Sequence, residues 1–511
     1  MTQSARKILL IAGVVFVTLT VVSSVTLYAL RGRLKNALTS TLREKFHSDV
    51  QIDNLQVVVF PHILITAEDI VLRINGRTDV PPLIAIQKFT LSASLLNLLR
   101  RHISGVHIEG LQIHIPPRPP GSPPNPQKKP GQKINFPLVI DQIVSDNAVL
   151  ETLPGDPKHV ARDFNIYHLV LDSFSFEGPA TFHGTLTNPL PLGRIDTQGQ
   201  FGPWNGEQPG DTFVSGTFRY SNVDFSSIKG LSGTMTSFGK YDGTLDQINV
   251  EGDTAMPNFA LAVAGNPMSL TTHFIAVVDG TNGDTFLKSV QARLGDSPLS
   301  VSGEIVGIPG VQGKQIMLDA TSQNARAQDM LRLAVKGGSP IDGTFNLHAT
   351  IDLPPAPPNT TDVLERLSLH GQFDIGKARF TNSGVQSKLD SLSRAGQGEP
   401  KNEDIQDVIS NLRGRFAVEH GVVNLANIAF EVPGAGVQLD GSYNMRDGAM
   451  DFHGHLNLDA KLSQTTTGVK SFLLRLANPF FKKNGGGSSI PIKITGTRDH
   501  PSFGLDLHPQ K

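Results

Sequence analysis

The sequence predicts a mainly β protein with a few helices. An N-terminal transmembrane helix is followed by an extended, curled, repetitive antiparallel β-sheet that forms a groove. Three observations lead to this fold class. An uncharged apolar run lies near the N-terminus, apolar and polar residues alternate through most of the remaining chain, and a glycine recurs at the start of many alternating segments. Amphipathic segments between the strands predict helices that cap the sheet.

The composition excludes several classes of function. Lys and Arg total 45 and Asp and Glu total 46, so no excess of positive charge is available to bind nucleic acid. The 511 residues include no cysteine, which excludes disulfides, thiolate zinc sites and cysteine nucleophiles. The 50 glycines and 34 prolines favour short strands with turns over long surface helices.

Residues 8–30 form the uncharged run, which predicts a membrane anchor over residues 1–33. Its 23 residues, at about 1.5 Å per residue, span a hydrocarbon core of about 30 Å. A cleaved signal peptide is the alternative, but its apolar region is only about 7–15 residues long. Basic residues are more numerous after the run than before it, whereas large domains translocate regardless of flanking charge, so charge leaves the orientation open.

The rest of the chain divides by period and composition. After the anchor, a helical stripe of apolar residues continues to residue 46, and the period then changes to two. The predicted regions are an N-terminal β region (34–115), a proline-rich linker or loop (116–132), a central repetitive β region (133–353) and a C-terminal β region (354–511). A second proline cluster, 353–362, marks the start of the last region. Within that region, amphipathic helices are predicted near residues 387–413 and 465–478.

One sequence pattern, a glycine followed by a segment of alternating apolar and polar residues, recurs along the chain. Examples are "HGTLTN", "SGTFRYSNVDF", "DGTFNLHATIDL" and "HGQFDIGKARF". Its irregular spacing excludes a propeller or a strict solenoid and favours a sheet that grows strand by strand. Because strand side chains alternate between faces, the pattern predicts one continuous apolar face. The candidate residues on that face are Phe182, Leu186, Phe345, Leu347, Ile351, Phe452, Leu456, Leu458, Ile490, Ile492 and Ile494.

The stretch "MDFHGHLNLDA" (450–460) suggests a metal site, because a strand would point His453 and His455 to one side. Every second position of this stretch is polar, however, so the spacing of the two histidines needs no special cause. A catalytic zinc site usually has a third protein ligand, and no other histidine-rich segment offers one. Hydrolase, P-loop and zinc-protease motifs are absent from the sequence as well. We therefore predict no metal, cofactor or catalytic residue, and no enzyme.

Two segments resemble the AsmA-like family. The first runs from "LREKFHSDVQIDNLQVVVF" to "HISGVHIEGLQIHI", and the second from "LRGRFAVEHGVVNL" to "IPIKITGTRDHPSFGLDL". The resemblance implies a bacterial inner-membrane protein that crosses the membrane once, with the bulk of the chain in the periplasm. The family is related to bridge-like lipid transfer proteins, whose curled sheet forms an apolar groove, and is linked to phospholipid traffic to the outer membrane and to outer-membrane integrity.

The residue pattern suggests a mechanism for such a role. A curled sheet with one apolar face shields acyl chains while headgroups stay in water. The expected partners are phospholipids, the inner membrane through residues 8–30, and outer-membrane or other envelope proteins. One alternative is a periplasmic scaffold or outer-membrane assembly factor whose sheet packs against itself. The other, a metal-dependent envelope hydrolase, rests only on the histidine pair.

Overall fold

The computed structural model describes residues 48–506 apart from several segments. The segments left out are 59–61, 75–80, 83, 95, 98–99, 116–138, 153–161, 176, 190, 206–208, 309–310, 312, 357–360, 398, 400–403, 405 and 460–487. The predicted anchor, the proline-rich linker 116–132 and the predicted helix near 465–478 therefore lie outside the described residues. Among the residues that are described, no helix is both long and apolar enough to cross a membrane.

Within the described residues, 25 strands form one sheet that curls into a half-barrel. The first strands are β1 (Ser48–Val58), β2 (Ile63–Ile74), β3 (Ile84–Ala93), β4 (His102–Ile103), β5 (Gly105–Ile115), β6 (Val139–Thr152), β7 (Arg162–Ser175) and β8 (Ala180–Pro189). The middle strands are β9 (Leu192–Phe201), β10 (Phe213–Asp224), β11 (Leu231–Ser232), β12 (Thr234–Thr244), β13 (Gln247–Leu261), β14 (Met268–Val278), β15 (Thr285–Leu294), β16 (Ser297–Gly307) and β17 (Lys314–Arg326). The last strands are β18 (Ile341–Leu353), β19 (Ser368–Phe380), β20 (Ser410–Glu419), β21 (Val422–Val432), β22 (Ala435–Asn444), β23 (Ala449–Leu458), β24 (Ser488–Thr497) and β25 (Pro501–Leu505).

Apart from the two helical residues 96–97, the described helices are few and lie late in the chain. They are α1 (Ala327–Ala334), α2 (Val363–Arg366) and α3 (Ser383–Gly396), with 3-10 turns at Pro209–Asp211 and Phe225–Ser227. Helix α3 overlaps the start of the helix predicted near 387–413, but the residues from Ser410 onward belong to β20. Leu412 and Phe416 alternate with polar residues there and pair with β19, so cross-strand pairing sets the structure of this part.

Consecutive long strands pair antiparallel, as predicted, with one exception. β5 and the short β4 pair in parallel with β6. Parallel partners start at the same rim of a sheet, so β5 ends at the rim opposite to the one where β6 begins. The sheet is continuous across both proline clusters, because β5 pairs with β6 and β18 pairs with β19.

The recurring glycines lie where neighbouring strands of the curled sheet approach each other closely. Gly371 begins the alternating part of "HGQF", and a Cβ there would lie 2.5 Å from the carbonyl oxygen of His348 and 2.7 Å from the ring of Phe416. A Cβ on Gly252 would lie 2.7 Å from the carbonyl oxygen of Phe238. These glycines share the apolar face, so the missing side chains let neighbouring strands close towards that face. We call the apolar face of the sheet the inner face and the polar one the outer face.

The packed cores lie mainly in the last third of the chain. Met330 and Leu331 of α1 pack against Phe345 and Ile375. A larger cluster covers β20 to β25 and is completed by Leu389 of α3 and its neighbour Leu392. A third cluster surrounds Leu364, Val418 and Met445. A separate, smaller cluster lies between β1 and β2.

Candidate functional site

The inner face is continuous because register keeps apolar positions aligned from strand to strand. Phe218 of β10 pairs with Gly239 of β12, and Gly252 of β13 pairs with Phe274 of β14, which pairs with Val290. Aromatic rings thus lie beside glycines on the neighbouring strand, which fills the space where the sheet bends. The same register places all eleven predicted lining residues on the inner face.

We define the central section as β7 to β16. Among the described residues, no apolar cluster completed by a helix covers its inner face. The apolar clusters completed by helices include no side chain of these strands, and only Val263, in the turn after β13, joins one of them. Five of the larger inner-face side chains are buried: Val214, Val223, Met256, Met268 and Leu294. Most of the others are half-buried. They are Phe182, Leu186, Ile195, Phe218, Val250, Phe274, Leu287, Val290 and Val301.

The inner face of the central section is also uncharged. From Phe164 in β7 to the end of β16, the inward positions carry no Asp, Glu, Lys or Arg. The hydroxyl of Tyr241 lies 2.7 Å from that of Thr197, and burial raises the pKa of Tyr241. Burial also raises the pKa of Tyr220 to about 12, and Asn188 donates a hydrogen bond of 3.0 Å to its hydroxyl. These polar groups are neutral and bonded to the protein, so the surface is suited to apolar ligands.

The C-terminal section, which we define as β19 to β25 with α2 and α3, is packed instead. Leu456, Leu458 and Ile490 are only 4%, 5% and 5% exposed, and they belong to the cluster that α3 completes. The identical alternating pattern therefore yields a covered face here and an uncovered one in the central section.

The predicted lining residues fall into three settings. Phe182 and Leu186 are half-buried in the central section. Phe345 is buried and Leu347 partly buried in the cluster of α1, whereas Ile351 is half-buried further along β18. Phe452, Ile492 and Ile494 are partly buried against the α3 cluster, and Leu456, Leu458 and Ile490 are within it. Phe218 and Phe274 were not singled out from the sequence, although the same alternation identifies them.

The histidines of the "MDFHGHLNLDA" stretch lie on the outer face. His453 contacts Asp506 through Nδ1 at 2.9 Å and Asp451 through Nε2 at 3.0 Å. The bond to Asp506, and secondarily the one to Asp451, raises the pKa of His453. In the described part of the chain, no group of three or more His, Asp or Glu side chains could hold a metal ion.

Similar cross-strand pairs occur elsewhere on the outer face. Asp146 lies 2.8 Å from Nδ1 of His168 and 2.9 Å from Nε2 of His107. The bonds to His168 and then to His107 lower the pKa of Asp146. His273 pairs with Asp253 in the same way at 3.0 Å. A histidine beside a carboxylate is thus a repeated feature of the outer face, and His453 is one example of it.

The fold and the face together define a class of protein: a curled half-barrel β-sheet with one apolar face. No protein-family model matches the chain, no curated protein matches it, and no solved structure matches its fold. The resemblance to the AsmA-like family therefore rests on the quoted segments alone.

Proposed function

We propose that this protein binds the acyl chains of phospholipids along the inner face of its central section and carries them between membranes of a bacterial envelope. The observation that supports the proposal is the inner face between residues 164 and 307. It carries no charged side chain, most of its larger side chains are half-buried, and no helix-completed cluster of the described residues covers it. An ordinary soluble protein rarely leaves so continuous an apolar face open to water.

The physical basis is the hydrophobic effect. Each methylene group that moves from water onto the face is stabilised by about 0.8 kcal/mol, so the groove substitutes for the interior of a bilayer. Nine long strands at about 4.8 Å spacing make the central section about 40 Å long, which exceeds the roughly 30 Å thickness of a hydrocarbon core. The face is similar from strand to strand, so chains slide along it without a large barrier. Headgroups remain at the rims, in water.

The location of the protein in the cell is also part of the proposal. Residues 8–30 anchor the protein in the inner membrane with its body in the periplasm, where it supports outer-membrane assembly and integrity with other envelope proteins. The length of the uncharged run and the AsmA-like segments support this setting. No enzymatic step is part of the proposal.

Phospholipid that co-purifies with detergent-free protein, detected by native mass spectrometry, tests the proposal. A matched pair of variants sharpens it: Phe274→Asp places a charge on the inner face, and Phe286→Asp places one on the outer face of the next strand, where Phe286 is 42% exposed. We expect wild type and Phe286→Asp to retain phospholipid and Phe274→Asp to lose it. Wild-type protein without lipid, or equal retention by the two variants, would overturn the proposal.

The packed C-terminal section favours a second candidate, a periplasmic scaffold or assembly factor that carries no lipid. Under that function, Phe274→Asp would leave outer-membrane integrity unchanged as long as the protein folds. Under lipid transport, the same variant makes cells sensitive to detergent and to large antibiotics. Circular dichroism and the amount of protein in the cell envelope serve as controls for folding.

A further inference from the structure

We infer that helix α3 is a fixed stopper that closes the C-terminal end of the groove, so that acyl chains occupy the central section and do not pass into the C-terminal section. This inference rests on the proposed function. It extends that function by locating the bound acyl chains and by closing one end of the groove. Four sets of observations carry it.

The first is the position of α3 inside the curled sheet. Leu389 and Leu392 project from it into the cluster of inner-face side chains on β20 to β25. Nζ of Lys388 lies 4.1 Å from the centre of the Phe503 ring on β25. Helix α3, which lies in the β19–β20 connection, thus contacts inner-face side chains as far along the sheet as the last strand, β25. At about 1.5 Å per residue, its 14 residues extend about 21 Å across that interior.

The second is a set of buried hydrogen bonds near the start of α3. Gln386 and Asp390 are 6% and 9% exposed. The amide of Gln386 donates to Asp390 and to the carbonyl oxygen of Val408, both at 3.0 Å, and its oxygen accepts from the backbone N–H of Phe380. Asp390 also accepts from the backbone N–H of Val408 at 3.0 Å. Lifting the helix would leave these groups buried and unpaired, which is costly.

The third is the anchoring of the other end of α3. Ser393 is fully buried and donates a hydrogen bond of 2.9 Å to the carbonyl oxygen of Pro433, in the β21–β22 turn. Gly396 lies against Gly434 of the same turn so closely that a Cβ on Gly434 would be 2.5 Å from the Gly396 carbonyl carbon. Both ends of the helix are therefore tied to the sheet, which is the arrangement of a fixed element and not of a lid.

The fourth is a contact between opposite rims, which joins the β10–β12 connection of the central section to α2 of the C-terminal section. The β10–β12 connection lies at one rim and the β18–β19 connection at the other, because successive strands alternate in direction. The backbone N–H of Val363 nevertheless donates to the carbonyl oxygen of Lys229 at 3.0 Å, and Leu364 packs in the cluster that includes Val263. Helix α2, which belongs to the C-terminal section, thus contacts the rim of the central section.

Together these features close one end of the groove. A chain that slides along the central section meets α1 and then α3, so it leaves through the central section and not past β25. The protein on its own is therefore a carrier with one closed end, not a conduit open at both ends.

Photo-cross-linking to lipid tests the stopper. The photoreactive amino acid p-benzoylphenylalanine replaces Phe218 in the central section, Phe452 in the C-terminal section, or Phe286 on the outer face, and the full-length protein is incubated with phosphatidylethanolamine–phosphatidylglycerol vesicles carrying radiolabelled phosphate. Ile492, partly buried beside Phe452, serves as a second C-terminal position in case the larger side chain disturbs packing. After irradiation, the label that stays on the denatured protein is measured.

We expect labelling at Phe218 to exceed that at Phe452, Ile492 and Phe286 by at least about tenfold. Labelling at Phe218 and at both C-terminal positions to a similar extent would overturn the stopper while leaving lipid binding intact. Labelling at Phe218 no stronger than at Phe286 would overturn the proposed function itself, and the stopper with it.

Discussion

Two leucines on the same face provide a direct test of the difference between the covered and uncovered parts of the groove. Leu456 is 4% exposed and lies between Val437 and Ile490 on the neighbouring strands, under the cluster that α3 completes. Leu186 occupies an equivalent inward position on β8 but is half-buried. Replacing each with alanine removes the same atoms from two different environments.

The expected costs follow from that difference. Leu456→Ala removes a buried side chain and leaves a cavity, which costs about 2–5 kcal/mol. Leu186→Ala removes a side chain that is still partly in water, and the open face leaves no closed cavity, so we expect about 1 kcal/mol. Since about 1.4 kcal/mol corresponds to a tenfold change in an equilibrium constant, the local opening constant rises about 30-fold or more for Leu456→Ala and about fivefold for Leu186→Ala.

Hydrogen–deuterium exchange followed by mass spectrometry measures local opening strand by strand, which suits a long sheet that need not unfold in one step. Exchange in β22 to β24 reports on Leu456→Ala, and exchange in β7 to β9 reports on Leu186→Ala. Lipid content is measured on the same samples, and only Leu186→Ala is expected to lower it. Equal acceleration of exchange by the two substitutions, in lipid-free protein, would refute the view that the two sections are packed differently.

Three further predictions concern the curl, the outer face and metal binding. Gly371→Ala places a Cβ 2.5 Å from a neighbouring carbonyl oxygen and should lower the free energy of unfolding by about 1–3 kcal/mol. Gly376→Ala in the same strand is the control, because its Cβ meets no atom within 4 Å and should change the stability little. The denaturant midpoints of the two variants are compared. The bond to Asp506 raises the pKa of His453 above its ordinary 6.5, so the stability it adds is fully present below pH 6.5 and is lost as pH rises through the higher folded value. In His453→Gln, the stability of β22 to β24 should no longer fall as the pH rises. Unfolding of these strands, measured at pH values between about 5.5 and 8, checks this prediction. Elemental analysis should find no stoichiometric zinc, and His455→Ala should leave lipid binding unchanged; one equivalent of zinc lost on substitution would contradict this.

Much of the fold can be predicted from local pattern. The side-chain period of a strand is two, so the alternation in segments such as "FNLHATIDL" determines which residues share a face before any partner strand is known. The recurring glycines are equally visible, although their effect on the curl depends on neighbours such as the His348 carbonyl, which only the paired strands bring close. The parallel pairing of β5 with β6 could not be predicted, because it depends on where a long connection returns.

The sheet, its inner face and the lack of charge on that face could be predicted from the sequence, since each follows from residue type and a fixed period. Which part of the face is covered depends on tertiary packing. Phe274 and Leu456 occupy the same kind of position in the pattern, yet α3 folds back over one and not the other. Likewise, His453, one of the two histidines that suggested a metal site, contacts Asp506, which lies 53 residues later in the chain. Contacts over such separations depend on packing of the whole chain, and no local period encodes them.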